Sequence, residues 1–152
     1  MTPDERQQQL VNALSLIDDR QERLAVLVEQ ARQVPRLPEQ ERSEINRVPG
    51  CASRVWLLGS FDNGRCRFRF DADSPLVKGL VKVLCDTYND ATPAEVVATE
   101  PAALAQLGLL QTLSPTRRHG LEAVRRRMVE LARIYLAETE AQGPARRPRH
   151  DV

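Results

Sequence analysis

Apolar and polar positions alternate along this chain with two periods, and most of the length carries the helical one. Leu10, Ala13, Leu14 and Ile17 recur at helical spacing and predict a first helix with one buried stripe. Thr2-Pro3-Asp4-Glu5 stands before them as a capping box, with Thr2 as N-cap, Pro3 at the first helical position and Glu5 reaching back. Asp19-Arg20-Gln21-Glu22 gives a second start, with Asp19 as the cap, and Leu24, Leu27, Val28 and Ala31 follow at helical spacing. The two form a helical hairpin closed by Pro35 and Pro38. A polar connector then runs from Val34 to Asn46.

The period changes after Gly50. Val55-Trp56-Leu57-Leu58 reads as a strand, and Asp62-Asn63-Gly64 as a hairpin turn. Arg65-Cys66-Arg67-Phe68-Arg69-Phe70 alternates strictly, with arginines on one face and Cys66 and two phenylalanines on the other. A further short strand over Ile45 to Val48 has little support in the residues. Helical spacing returns after Asp73-Ser74-Pro75: Leu76, Val77, Leu80, Val81, Leu84 and Tyr88 predict the most buried helix. Gly79 inside it costs about 1 kcal/mol relative to Ala and marks close approach of another backbone. Thr92-Pro93-Ala94-Glu95 opens a short helix, and Pro101 to Leu107 is another, stopped by Gly108. Ser114-Pro115 starts a long last helix carrying Leu121, Val124, Met128, Leu131 and Tyr135. The order α, α, β-hairpin, then several α predicts an α+β fold: a small antiparallel sheet of two to three strands with helices packed on one face.

Length and charge narrow the reading slightly. The 152 residues suit one domain, expected over 1–140, followed by a disordered basic tail over 141–152. The 22 Lys and Arg nearly cancel the 21 Asp and Glu, so bulk charge selects no partner. No apolar run approaches a membrane span, and Met1 to Arg6 is too polar for a secretory leader, so a cytoplasmic protein is expected. Three cysteines without a Cys-x-x-Cys argue against a disulfide framework and a standard zinc site.

The catalytic vocabulary is sparse. There is no glycine-rich phosphate loop, no His-Glu-x-x-His and no Gly-x-Ser-x-Gly. Cys66 and Cys85 fall on apolar faces and read as packing. Cys51 follows Pro49-Gly50, a tight turn that places it at a loop tip before a strand. Arg47 and Arg54 flank it, and nearby cations favour the nucleophilic thiolate. From local features alone it is equally a small buried cysteine at a strand start. A Cys–His pair would require His119, near the start of the last helix. Nine arginines against four glutamates between Pro115 and His150 admit a basic RNA-binding module, but stacking aromatics are lacking.

Three blocks carry a family resemblance. Asn46-x-Val48-Pro49-Gly50-Cys51-Ala52-Ser53-x-Val55-Trp56, Asp73-Ser74-Pro75-Leu76-Val77-Lys78-Gly79-Leu80 and Leu113-Ser114-Pro115-Thr116-Arg117-x-x-Gly120-Leu121 together resemble the SufE sulfur-acceptor family, over about residues 5 to 135. His119 departs from the family pattern, where a small polar residue is commoner. The resemblance implies a SufE/IscU-like fold and a protein that accepts sulfane sulfur from a SufS-type cysteine desulfurase. It implies a persulfide on Cys51, stimulation of the desulfurase, and transfer to a SufBCD-type iron–sulfur scaffold. It also implies no resident cofactor, the pyridoxal phosphate belonging to the desulfurase. Partners are then proteins rather than nucleic acid or membrane, and the chain a monomer or homodimer. Arg117 is carried over as a docking or loop-supporting residue, with Arg47 and Arg54 as further candidate contacts. Asp73 is expected to cap the central helix and to touch the partner. The rival is an iron–sulfur scaffold, which would need Cys66 and Cys85 as ligands.

Overall fold

A computed structural model describes residues 1–142. The helices are α1 (Pro3–Leu14), α2 (Arg20–Arg32), α3 (Pro75–Tyr88), α4 (Pro93–Ala98), α5 (Ala103–Gln106) and α6 (Pro115–Gln142). Between α2 and α3 lie the strands β1 (Val55–Asp62) and β2 (Arg65–Ala72), antiparallel, in register from Val55 opposite Ala72 to Asp62 opposite Arg65. The α+β architecture is the expected one.

Local chemistry accounts for most element ends. Thr2 and Thr92 both make complete capping boxes, and the Asp19 side chain accepts from the Gln21 N–H. Asn63 and Gly64 both have positive φ, as a two-residue hairpin turn requires. Some ends fall elsewhere than expected. Ser15 already caps α1, so Ile17 packs from the loop, and α5 covers only part of Pro101 to Leu107. Asp73 does not cap α3: Pro75 occupies the first turn, which makes Ser74 the N-cap, and its hydroxyl accepts from the Val77 N–H. α6 runs through Gln142, past the boundary expected at 140. The rest of the expected basic tail lies outside the described residues.

The pleat sends Val55, Leu57, Gly59 and Phe61 to the same face as Ala72, Phe70, Phe68 and Cys66. α3 packs against β2, α6 against β1, and α2 lies across α3. Gly79 is where α2 and α3 meet most closely: a Cβ there would lie 3.2 Å from the backbone of Leu27 and Val28. Cys66 and Cys85 are fully buried. The outer edge of β2 is covered by residues 89–91, through Cys66 N–H to Ala91 O at 2.7 Å and Phe68 N–H to Asn89 Oδ1 at 2.6 Å.

The outer face is not simply solvated. Each β2 arginine has an acidic partner: Arg65 with Glu95, Arg67 with Asp90, and Arg69 in a two-pronged pair with Glu41. The row is therefore not an open anion site. At the base of this face the connector is tied to the buried carboxylate of Asp71. Oδ2 of Asp71 accepts from the Leu37 N–H at 3.1 Å and from Arg36 at 3.2 Å. Oδ1 accepts from its neighbour Ala72 at 2.9 Å and faces Lys78 Nζ at 3.4 Å. Burial alone would raise this carboxyl; the Ala72 and Leu37 N–H groups, then Arg36 and Lys78, outweigh it and hold the acid below its ordinary range.

A carboxyl whose pKa falls on folding contributes stability above its unfolded pKa, near 3.9, and loses it as pH drops through the lower folded value. Asp71→Asn removes the counter-charge of the Lys78 ammonium, whose side chain is 11% exposed and which otherwise donates to Val34 O at 2.8 Å. The expected cost is about 3 kcal/mol at neutral pH, with a shallower loss of stability on acidification than in the parent. Urea unfolding of both proteins at neutral and acid pH checks this; equal acid sensitivity contradicts it.

Candidate functional site

Residues 46–48 return alongside β1, with Val48 N–H donating to Val55 O at 2.8 Å and Leu57 N–H to Asn46 O at 2.9 Å. The strand-like pairing this gives is one bridge, Arg47 with Trp56. Residues 49–54 are thereby strung as a loop between two fixed ends. Gly50 has φ of +89°, the left-handed conformation expected of this turn, and its missing Cβ would meet Ala123 at an ordinary 3.5 Å. The constraint is therefore conformational rather than steric.

Cys51 does not stand out from this loop. Its thiol turns in, half-buried, and donates to the Gly120 carbonyl of α6 at 3.3 Å. Gly120 has no side chain, so the loop lies against the helix: a Cβ there would be 3.7 Å from Cys51 Sγ. A small cavity of about 30 Å3 opens beside the sulfur, walled mainly by Val55, Val77, Leu80, Val81, Leu121 and Val124. Neither buried alternative competes for chemistry, since burial pushes Cys66 up to about 11 and also pushes the Cys85 thiol well above its ordinary value.

The electrostatics correct one expectation. Burial raises the Cys51 thiol, and the pull of Arg126 and Arg47 toward thiolate is too weak to reverse it. The S–H bond to a carbonyl also favours the protonated form. Arg54 is not among the cations acting on the thiol. It is drawn to Asp73, with Nε to Oδ2 at 2.6 Å, and its guanidinium stacks on Trp56 at 5.7 Å from the ring centre. Asp73 N–H in turn donates to Arg54 O at 3.1 Å, so the pair latches the downstream end of the loop. Arg36 reaches the other Asp73 oxygen at 3.6 Å.

Of the remaining candidates, Arg117 lies in the first turn of α6, its N–H donating to Ser114 Oγ at 3.3 Å, and lines the Cys51 cavity. Arg47 pairs with Glu44 at 3.5 Å at the upstream end. His119 is exposed, and the thiol's partner is the next residue's carbonyl rather than its imidazole. Sequence reasoning missed Gly120 as the thiol's acceptor and Arg126 as the leading cation. Helical spacing from the Leu-Ser-Pro block would have put Gly120 on the inner face beside Val124. Among the described residues, no three His, Cys, Asp or Glu side chains converge as a metal site, and no helix is long and apolar enough to cross a membrane.

A β-hairpin, a central helix and a long closing helix that together seat one loop thiol define a class of small α+β thiol proteins. Residues 8–132 match the family model SufE, described as an Fe-S metabolism associated domain, and the chain belongs to that family, with a role in iron–sulfur metabolism. An uncharacterized SufE-like protein of Rhizobium etli is 31% identical over 134 residues, which is 85% of this chain and 90% of the relative. The chloroplastic quinolinate synthase of Oryza sativa subsp. japonica is 38% identical over 109 residues; the match takes in 71% of this chain but 15% of that longer protein. The solution structure of a hypothetical protein from Thermus thermophilus has the same fold, with a TM-score of 0.73 at 26% identity, over 90% of this chain and 99% of that one.

Two outcomes follow for the thiol. Its iodoacetamide rate should have a pH midpoint above the ~8.5 of a free cysteine; a midpoint below that contradicts the dry seat. Gly50→Ala should strain the seated loop by roughly 1 kcal/mol and speed alkylation about fivefold, with little change in melting temperature. An unchanged rate means that the turn tolerates a side chain.

Proposed function

We propose that this chain is a sulfur carrier that takes sulfane sulfur from a SufS-type cysteine desulfurase onto Cys51, stimulates that enzyme by draining its persulfide, and delivers the sulfur to a SufBCD-type iron–sulfur scaffold. The observation that carries the reading is the placing of the cysteines. Cys51 alone sits on a loop, over a small apolar space, while the other two are sealed in the core.

The chemistry is an exchange without net oxidation. The Cys51 thiolate attacks the outer sulfur of the donor's persulfide, the donor's S–S bond breaks, and its cysteine leaves as thiolate while a new S–S bond forms on Cys51. The nucleophile requires the thiol to lose its proton. The seat opposes that at rest, and swinging the loop out removes both the desolvation and the Gly120 hydrogen bond that hold the proton. After return, the cavity has room for one added atom of sulfur's size, away from oxidants and competing thiols. Arg117 and Arg47 stand beside the departing loop and are the cations placed to meet an acidic rim on the partner. The scaffold reading is disfavoured, since it needs sulfurs that here are inside the core.

Intact mass after incubation with a cysteine desulfurase and cysteine tests the reading. One added sulfur is expected on the parent, on Cys66→Ala and on Cys85→Ala, and none on Cys51→Ser; sulfur retained by Cys51→Ser overturns it. Arg117→Glu is expected to raise the concentration needed for half-maximal desulfurase stimulation about tenfold, with the salt dependence of a rim charge. The alkylation rate of Cys51 should stay unchanged. Stimulation that survives the reversal moves the docking face elsewhere.

A further inference from the structure

A space much larger than the one at Cys51 lies elsewhere in the fold. A cleft of about 520 Å3 lies between α3, the α4–α5 connection and the first half of α6, a size that suits small-molecule sites. Its floor is apolar, built from Val83, Leu84, Ala103, Leu104 and Leu121. Leu121 also walls the small Cys51 cavity, so the two spaces share one lining residue.

The charges around the cleft are unlike those elsewhere. α6 presents Arg118, Arg125 and Arg126 to it, and none of the three takes part in an ion pair among the described residues, whereas all three β2 arginines do. Glu100 and Glu122 also line the cleft, so three cations against two anions leave one positive charge. Of these five, Arg125 alone is not exposed, and a partly buried cation acts more strongly on an occupant than an exposed one. Its plane is already fixed: the guanidinium lies 4.4 Å from the Tyr88 ring centre and Nη2 donates to Val96 O at 2.7 Å and Thr99 O at 2.9 Å. Its Nη1 is buried with no acceptor among the described residues. The opposite wall is equally set, since buried Gln7 accepts from the Ala102 and Ala103 N–H groups and donates to Glu100 O. Prearranged walls lower the cost of binding.

We propose that this cleft binds a small amphipathic anion, an apolar body of several methylenes on the Leu84–Leu104–Leu121 floor with a carboxylate head toward the arginines of α6. The site is separate from the sulfur-carrier reading and does not depend on it.

The test is a two-dimensional amide NMR titration of the full chain with octanoate, with octylammonium as the same body bearing the opposite charge. Saturable shifts are expected at Leu84, Leu104, Leu121 and Arg125, with octanoate bound roughly tenfold tighter, the worth of one charge-assisted hydrogen bond. Exposed Ala105 lines the cleft, so Ala105→Trp should block it, and Arg118→Glu should weaken octanoate while leaving octylammonium no weaker. Absent saturation, equal binding of the two amphiphiles, or octanoate binding undiminished by Ala105→Trp in a folded protein would each overturn the proposal.

Discussion

The site rests on one hydrogen bond and the dry ground beneath it: the Cys51 thiol donating to the Gly120 carbonyl over side chains of α3 and α6. A sulfur so placed is neither a core residue nor a free nucleophile. Desolvation keeps it protonated, the arginines nearby oppose that, and the balance shifts when the sulfur leaves its seat. The elements around it hold the two sides of that contact in place. The bond between Val48 and Val55 closes the base of the loop, and the Arg54–Asp73 pair fixes its downstream end. α6 brings the acceptor, and its packing on β1 through Gly59, where a Cβ would strike Tyr135 at 2.5 Å, sets how close it comes.

Asp71 links this site to the body of the protein. The carboxylate gathers the connector, the start of α3 and the end of β2 into one charged knot, and Asp73 next but one along the chain is the loop's latch. Buried ion pairs are costly to assemble and contribute little beyond what a packed apolar group would. In some proteins they specify one arrangement of the chain. Here the knot holds Arg36 and Leu37 of the connector against the end of β2, while residues 46–48, where the Cys51 loop begins, are held along β1 by their own backbone bonds.

Much of this was legible because the signals were local. Strict alternation through Arg65–Phe70 announced β2 and the burial of Cys66, capping boxes marked α1 and α4, and Pro49-Gly50 marked the loop with its left-handed glycine. The three sequence blocks carried the family. What the residues hid was long-range. The sign of the Cys51 shift is set by α3 and α6, far along the chain, so neighbouring arginines suggested thiolate where burial wins. Asp73 looked like a cap because it precedes Ser-Pro, and its true partner, Arg54, is visible only once the hairpin closes. The knot at Asp71 gave no signal, since an aspartate at a strand end ordinarily faces water.

The most direct measurement is the lifetime of the sulfur once it has been loaded on Cys51. Chain carrying the persulfide is exposed to cyanide, which removes sulfane sulfur, in the folded state and again in denaturant. The folded protein is expected to lose its sulfur at least about tenfold more slowly, because a seat worth more than about 1.4 kcal/mol holds it away from solvent. Equal rates in the two states would show that the sulfur stands in water, and the seat beneath Cys51 would then have no part in carrying it.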